Sequence, residues 1–164
     1  MGSRTDVASL LDRLVADALP GRRGLDAWRS LLRAYASLMR RLGADLERET
    51  GVTLVDFDVL AQLAEAGGEL GMTDLADRTL SSRSGMTRRV DRLVEEGLVR
   101  RAASSADGRV VVIVLTDAGV ARVRETVPVH LRGVSELFMA RLSDRELAAL
   151  QGALKKVTPD CKFG

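Results

Sequence analysis

The chain has 164 residues, and its 25 Lys and Arg against 23 Asp and Glu leave a net charge of +2 and a pI near 9.1. At 46% hydrophobic and 29% charged it has an ordinary globular composition, long enough to bury a core without covalent staples. A single cysteine (Cys161) and a single histidine (His130) exclude an intrachain disulfide framework and a Cys/His zinc cluster, so neither a metal nor a cofactor is expected.

Residues 6–19 repeat apolar side chains at helical spacing (Val7, Leu10, Leu11, Leu14, Val15, Leu19), with Asp6 as a candidate cap, and PGRRG at 20–24 breaks the pattern. Residues 25–50 predict the longest uninterrupted helix: Leu25, Trp28, Leu31, Leu32, Tyr35, Leu38, Met39, Leu42 and Leu46 recur by threes and fours, and Thr50-Gly51 is a stop. A stripe this long exceeds what a small domain covers, so part of it is expected to meet a helix of a second copy. Residues 54–66 predict another helix, ended by Gly67-Gly68. Then Thr73 reads as the N-cap of a short helix over 74–79, Leu80-Ser81 as a turn, and Ser82 as the cap of a second helix over 83–96 that Gly97 ends. Two helices joined by so tight a turn form a candidate helix-turn-helix.

The stretches at 98–102 and 110–115 read as strands, and Asp107-Gly108 between them as a hairpin turn. Thr116-Asp117 caps a long helix over 117–142, interrupted by Pro128 and expected to kink there. Ser143-Asp144-Arg145-Glu146 is a capping box opening a last helix that Pro159 closes. A hairpin directly after a helix-turn-helix makes a winged helix. The fold class is therefore mostly α with a small β-hairpin wing, divided into N-terminal helices (1–53), a winged helix-turn-helix (54–116) and C-terminal helices (117–164).

On helix 83–96, Met86, Val90, Leu93 and Val94 face a core. Arg83, Ser84, Thr87 and Arg88 share another face, with Arg92 further along. Guanidinium groups donate paired hydrogen bonds to guanine, and small hydroxyls bond bases or phosphates, so this face suits a DNA major groove. Arginines on a helix are more often a solvated face than a binding one, and placement decides between them. Between Ser81 and Arg109 stand seven arginines against four acids, +3, which leaves −1 for the rest of the chain. The positive excess therefore sits on the helix-turn-helix and hairpin, where a duplex would meet it.

The block SRSGMTRRVDRLVEEGLVRR (82–101), followed by Asp107, Arg109, Leu115 and Thr116 as D-x-R-x5-L-T, resembles the MarR family of bacterial winged-helix transcription regulators. MTDLADRTL (72–80) fits its first motif helix and FDVL (57–60) its flanking helix. The resemblance implies a symmetric homodimer paired through its N- and C-terminal helices, and the lone cysteine makes a reducing cytoplasm the expected compartment. It implies binding to a pseudo-palindromic double-stranded operator, with repression relieved by a small phenolic or anionic effector. It makes Ser82, Arg83, Ser84, Thr87, Arg88, Arg92 and Arg109 DNA contacts and Asp107 the brace of the wing. Many relatives carry a basic residue where this chain has Gly108, which shifts the expected specificity toward helix 83–96.

Trp28, Tyr35 and Asp58 line an effector pocket in one reading and are plain packing residues in the other. Cys161, four residues from the end, reads as a tail thiol, and His130, with no second histidine or nearby cysteine, as no metal ligand. No P-loop, G-x-S-x-G or paired-carboxylate motif is present, so no enzyme is expected. A winged helix serving protein–protein contact is the competing class. Steep salt dependence of binding separates the two.

Overall fold

The computed structural model describes residues 4–19, 21–79, 83–104 and 111–158, with the backbone alone at 4–6, 83 and 84. Among the described residues seven α-helices and three strands follow in the order α1 (Arg4–Ala18), α2 (Arg22–Thr50), α3 (Leu54–Glu65), β1 (Glu69–Gly71), α4 (Met72–Arg78), α5 (Arg83–Glu95), β2 (Val99–Ala103), β3 (Val111–Leu115), α6 (Asp117–Leu137) and α7 (Asp144–Val157), with a 3-10 turn at Met139–Arg141. The chain gathers into two compact units, residues 1–40 and 41–164.

In the first unit α1 starts at Arg4, so Asp6 lies inside the helix and does not cap it. Its apolar residues Val7, Leu10, Leu11 and Leu14 are exposed, as are Trp28, Leu31, Leu32 and Tyr35 on α2.

The second unit holds the core. Thr53 caps α3 by accepting from the Asp56 amide, and Val59, Leu60 and Leu63 are fully buried. They pack with Leu75 and Ala76 of α4, Met86, Val90 and Leu93 of α5, Val99 of β2 and Ile113 of β3. Leu46, Val52 and Phe57 form a second cluster where α2 ends and α3 begins. α3 stops at Gly67 and Gly68, both at positive φ (84° and 104°), where the Gly68 amide donates to the Leu63 carbonyl at 2.8 Å. α5 stops in the same way at Gly97 (φ 73°), with the Leu98 amide donating to the Leu93 carbonyl at 2.9 Å. A left-handed residue there costs glycine nothing and lets the last amides turn back onto the helix.

The hairpin pairs as read, β2 antiparallel to β3, and a strand the sequence did not show, β1, joins it in the order β1-β3-β2. The three residues Glu69-Leu70-Gly71 carry no alternation of their own, and only pairing to β3 makes them a strand. The strand also moves the start of α4, whose N-cap is Gly71 rather than Thr73. α6 runs through Pro128 and ends at Leu137, five residues before the expected 142, in the 3-10 turn. Ser143 and Glu146 close the capping box on α7: the Ser143 amide donates to Glu146 at 2.9 Å and the Glu146 amide to Ser143 at 3.4 Å.

Candidate nucleic-acid interface

The second helix of the motif, α5, presents three kinds of side chain. Met86, Val90 and Leu93 are buried in the core, which fixes how the helix is rotated. Thr87 and Arg88 are exposed, and no hydrogen bond or ion pair holds Arg88 among the described residues. Arg83 and Ser84 occupy the first two positions of the helix, where its positive end favours an anion. Gly85, Arg88, Arg89 and Arg92 line a shallow groove of about 280 Å³ along one flank.

Two of these arginines are claimed by the protein itself. Asp56, in the first turn of α3 and 6% exposed, splits its carboxylate between them. Arg89 donates to Oδ1 at 3.0 Å, and Arg92 donates to Oδ2. Thr53 donates its hydroxyl to Oδ2 while accepting from the Asp56 amide. Arg92 also lies 3.7 Å from Glu96 one turn on. Of the sequence-predicted contacts, then, Arg88 has no partner among the described residues and Arg92 is held by acids. Asp56 was missed by sequence reasoning; the signal was a buried-side acid placed three residues after a capping threonine.

The wing stem continues the pattern. Arg101 on β2 donates to Asp91 of α5 at 2.7 Å, tying the edge strand to the helix. Arg100 is exposed on the same edge strand with no partner among the described residues. Ser82, Asp107, Gly108 and Arg109 lie outside the described residues, as does Cys161.

The far side of α5 is coupled to α6. Thr116 caps α6 by accepting from the Gly119 amide at 3.0 Å and donates to the Gly97 carbonyl at 2.7 Å. Arg122 of α6 donates to the Thr50 carbonyl at the end of α2, 3.2 Å away. Between these elements lies a cavity of about 350 Å³, lined by Thr50, Thr53, Asp56, Arg92, Glu96 and Arg122 among others.

Trp28 and Tyr35 are exposed in the first unit, 55% and 57%, and are not core residues of this chain. Asp58 of α3 is half-buried, and burial pushes its carboxyl up, with Glu65 adding to the shift and Arg89 opposing it. His130 of α6 packs its ring on Phe57 with ring centres 4.5 Å apart; its Nδ1 is buried with no partner among the described residues, and burial lowers its pKa. Among the described residues no group of His, Cys, Asp or Glu is arranged to hold a metal, and no helix is long and apolar enough to cross a membrane.

A sequence model described as MarR family matches residues 50–110, from the end of α2 through α3, α4, α5 and β2. Among solved structures, AbsC from Streptomyces coelicolor, a MarR family transcriptional regulator, is 32% identical with a TM-score of 0.76, over 82% of this chain and 91% of that one. Sco3205 from the same organism, a MarR family transcriptional regulator solved in complex with DNA, is also 32% identical at a TM-score of 0.76, over 85% of this chain and 91% of that one. The HTH-type transcriptional regulator MhqR of Bacillus subtilis is 27% identical over 132 residues, 80% of this chain and 89% of the relative.

Proposed function

This chain belongs to the MarR family and is a DNA-binding transcriptional regulator, and from that premise we propose that it is a homodimeric repressor released by a small effector. The observation that carries the reading is the division of charge on α5. Arg88 has no partner among the described residues and stands beside the exposed Thr87, while Arg89 and Arg92 share the carboxylate of Asp56. An unpaired guanidinium on the second helix of a helix-turn-helix is placed to read a guanine edge. Ser82, Arg83 and Ser84 at the start of the helix would position a phosphate. Arg100 would add a backbone contact from the wing stem, and the family resemblance assigns Arg109 to the minor groove and Asp107 to its brace.

The apolar stripes of α1 and α2 supply the dimer contact. Two copies related by a twofold axis would set their reading helices about 34–36 Å apart on a pseudo-palindromic site. For the effector, the aromatic faces of Trp28 and Tyr35, exposed in the first unit, would offer stacking surfaces to a phenolic ring. Release would follow from the coupling of α5 to α6 through Thr116, Gly97 and Leu98. A ligand that favours one spacing of the two reading helices weakens simultaneous engagement of both half-sites.

The test is selection of bound duplexes from random-sequence DNA, followed by salt titration with and without phenolic ligands. A recurring twofold-symmetric site whose affinity falls steeply with salt supports the reading, whereas salt-insensitive binding or no selected site refutes it. Arg88→Ala should cost about 1–3 kcal/mol on the selected duplex, the value of one lost bidentate base contact. An unchanged affinity removes Arg88 from the interface.

A further inference from the structure

We propose that Asp56 is a specificity-setting residue: it retains Arg89 and Arg92 on the protein, so that of the three arginines lining this flank of α5 only Arg88 is offered to the DNA. The inference rests on α5 being the reading helix. Arg88, Arg89 and Arg92 share one groove on that helix, and the guanidinium is a group of choice for phosphate recognition. The structure separates them by partner. Arg88 has none among the described residues, whereas Arg89 and Arg92 converge on the two oxygens of one buried carboxylate. That carboxylate is itself oriented: the Thr53 hydroxyl donates to Oδ2 and accepts from the Asp56 amide, so its rotamer is set by the cap of α3.

A buried acid with two guanidinium partners is a strong competitor for them, because it is less screened than a phosphate at the surface. The consequence for recognition is selectivity. Arginine–phosphate contacts add affinity for every sequence alike, while arginine–guanine contacts add it for one. Holding two of three arginines back therefore lowers the general attraction to DNA and leaves the base-reading contact in place. Asp56 touches no DNA in this account; it acts through Arg89 and Arg92.

The test compares the wild-type protein with Asp56→Asn on two duplexes of equal length, one selected by the wild type from random-sequence DNA and one of unrelated sequence. The asparagine keeps the size and polarity of the side chain and removes its charge. Released arginines steepen the slope of log affinity against log salt by about 0.9 for each one that reaches a phosphate, or about 2 for a dimer releasing one per subunit. Asp56→Asn should show that steepening on both duplexes together with a fall in the ratio of selected to unrelated affinity, and adding Arg92→Gln should reverse most of it. A merely structural role predicts weaker binding at an unchanged slope, and that result overturns the proposal.

Side-chain NMR on the wild type gives an answer that does not depend on the variant folding. On adding the selected duplex, the Arg88 Nε–H resonance should move while that of Arg92 stays at its free position; equal movement of both overturns the proposal. Absence of selective duplex binding by the wild type would instead sink the reading of α5 itself, and the inference with it.

Discussion

Gly119 is the residue where packing and helix propensity oppose each other most sharply. It lies in the first turn of α6, buried against the α5–β2 junction, and a Cβ there would stand 2.0 Å from the Leu98 carbonyl oxygen. Glycine inside a helix ordinarily gives up about 1 kcal/mol relative to alanine. Here the obstruction is backbone and cannot rotate away, so Gly119→Ala should destabilise by about 1–3 kcal/mol, the usual cost of overpacking. Gly152 on α7 is the control: nothing lies within 4 Å of its Cβ position, so Gly152→Ala should gain about 0.5–1 kcal/mol. Denaturant unfolding of both variants checks the pair, and equal effects would contradict the close approach at Leu98.

His130 makes a second prediction at this scale. Burial holds its pKa below the ordinary 6.5, so the folded state binds the proton less readily than the unfolded chain. The unfolded state therefore carries more protons in that window, and stability rises with pH through it. The contribution is complete above about pH 6.5 and is lost as pH falls toward the folded value. His130→Phe, which keeps a ring against Phe57, removes that dependence. The melting temperature of the wild type should fall relative to the variant between about pH 8 and about pH 5; a constant difference would show that the imidazole is not desolvated.

At the scale of elements, helix ends decide where the reading helix and its neighbours sit. Thr116 is both the cap of α6 and a donor to the Gly97 carbonyl that closes α5, so it joins two elements with one hydroxyl. Ser143 caps only its own helix, in an exposed box. Loss of a capping hydroxyl costs about 0.5–2 kcal/mol. Thr116→Val should lie at the upper end and Ser143→Ala at the lower, as measured by urea unfolding; a larger effect at Ser143 would deny Thr116 its joining role. These stops and caps were legible in the sequence, since Thr50-Gly51, Gly97, Thr116 and the Ser143–Glu146 box need only local chemistry. β1 was not, because three residues carry no period and its hydrogen bonds come entirely from β3. The misplaced cap of α4 follows from the same cause: with Glu69–Gly71 in the sheet, the helix begins at Met72 and Thr73 falls within it.

For the whole molecule the question is what covers α1 and α2. Trp28, Leu31, Leu32 and Tyr35 recur at helical spacing on α2, yet each is between 39% and 57% exposed. Leaving such a stripe in water is unfavourable by roughly 25 cal/mol per Å² of apolar surface, and a second copy is the proposed cover. Sedimentation should give a dimer for the wild type. Leu32→Glu should shift it toward monomer and weaken binding to the selected duplex, because one half-site held alone loses the avidity of two. A dimer undisturbed by that substitution would move the interface elsewhere.

The sequence by itself determined the helices, the β2–β3 pairing, the buried face of α5 and the concentration of arginine on the winged segment. All of these follow from local periodicity, turn residues and the count of charges. Only the tertiary structure decided how that charge is divided. Seven arginines between Ser81 and Arg109 look alike along the chain. In the fold, Arg89 and Arg92 meet Asp56 from 33 and 36 residues away, Arg101 meets Asp91, and Arg88 and Arg100 meet nothing described. The physical reason is that an ion pair depends on distance in space. No sequence period encodes which of several equal cations lies within reach of a buried acid on another helix.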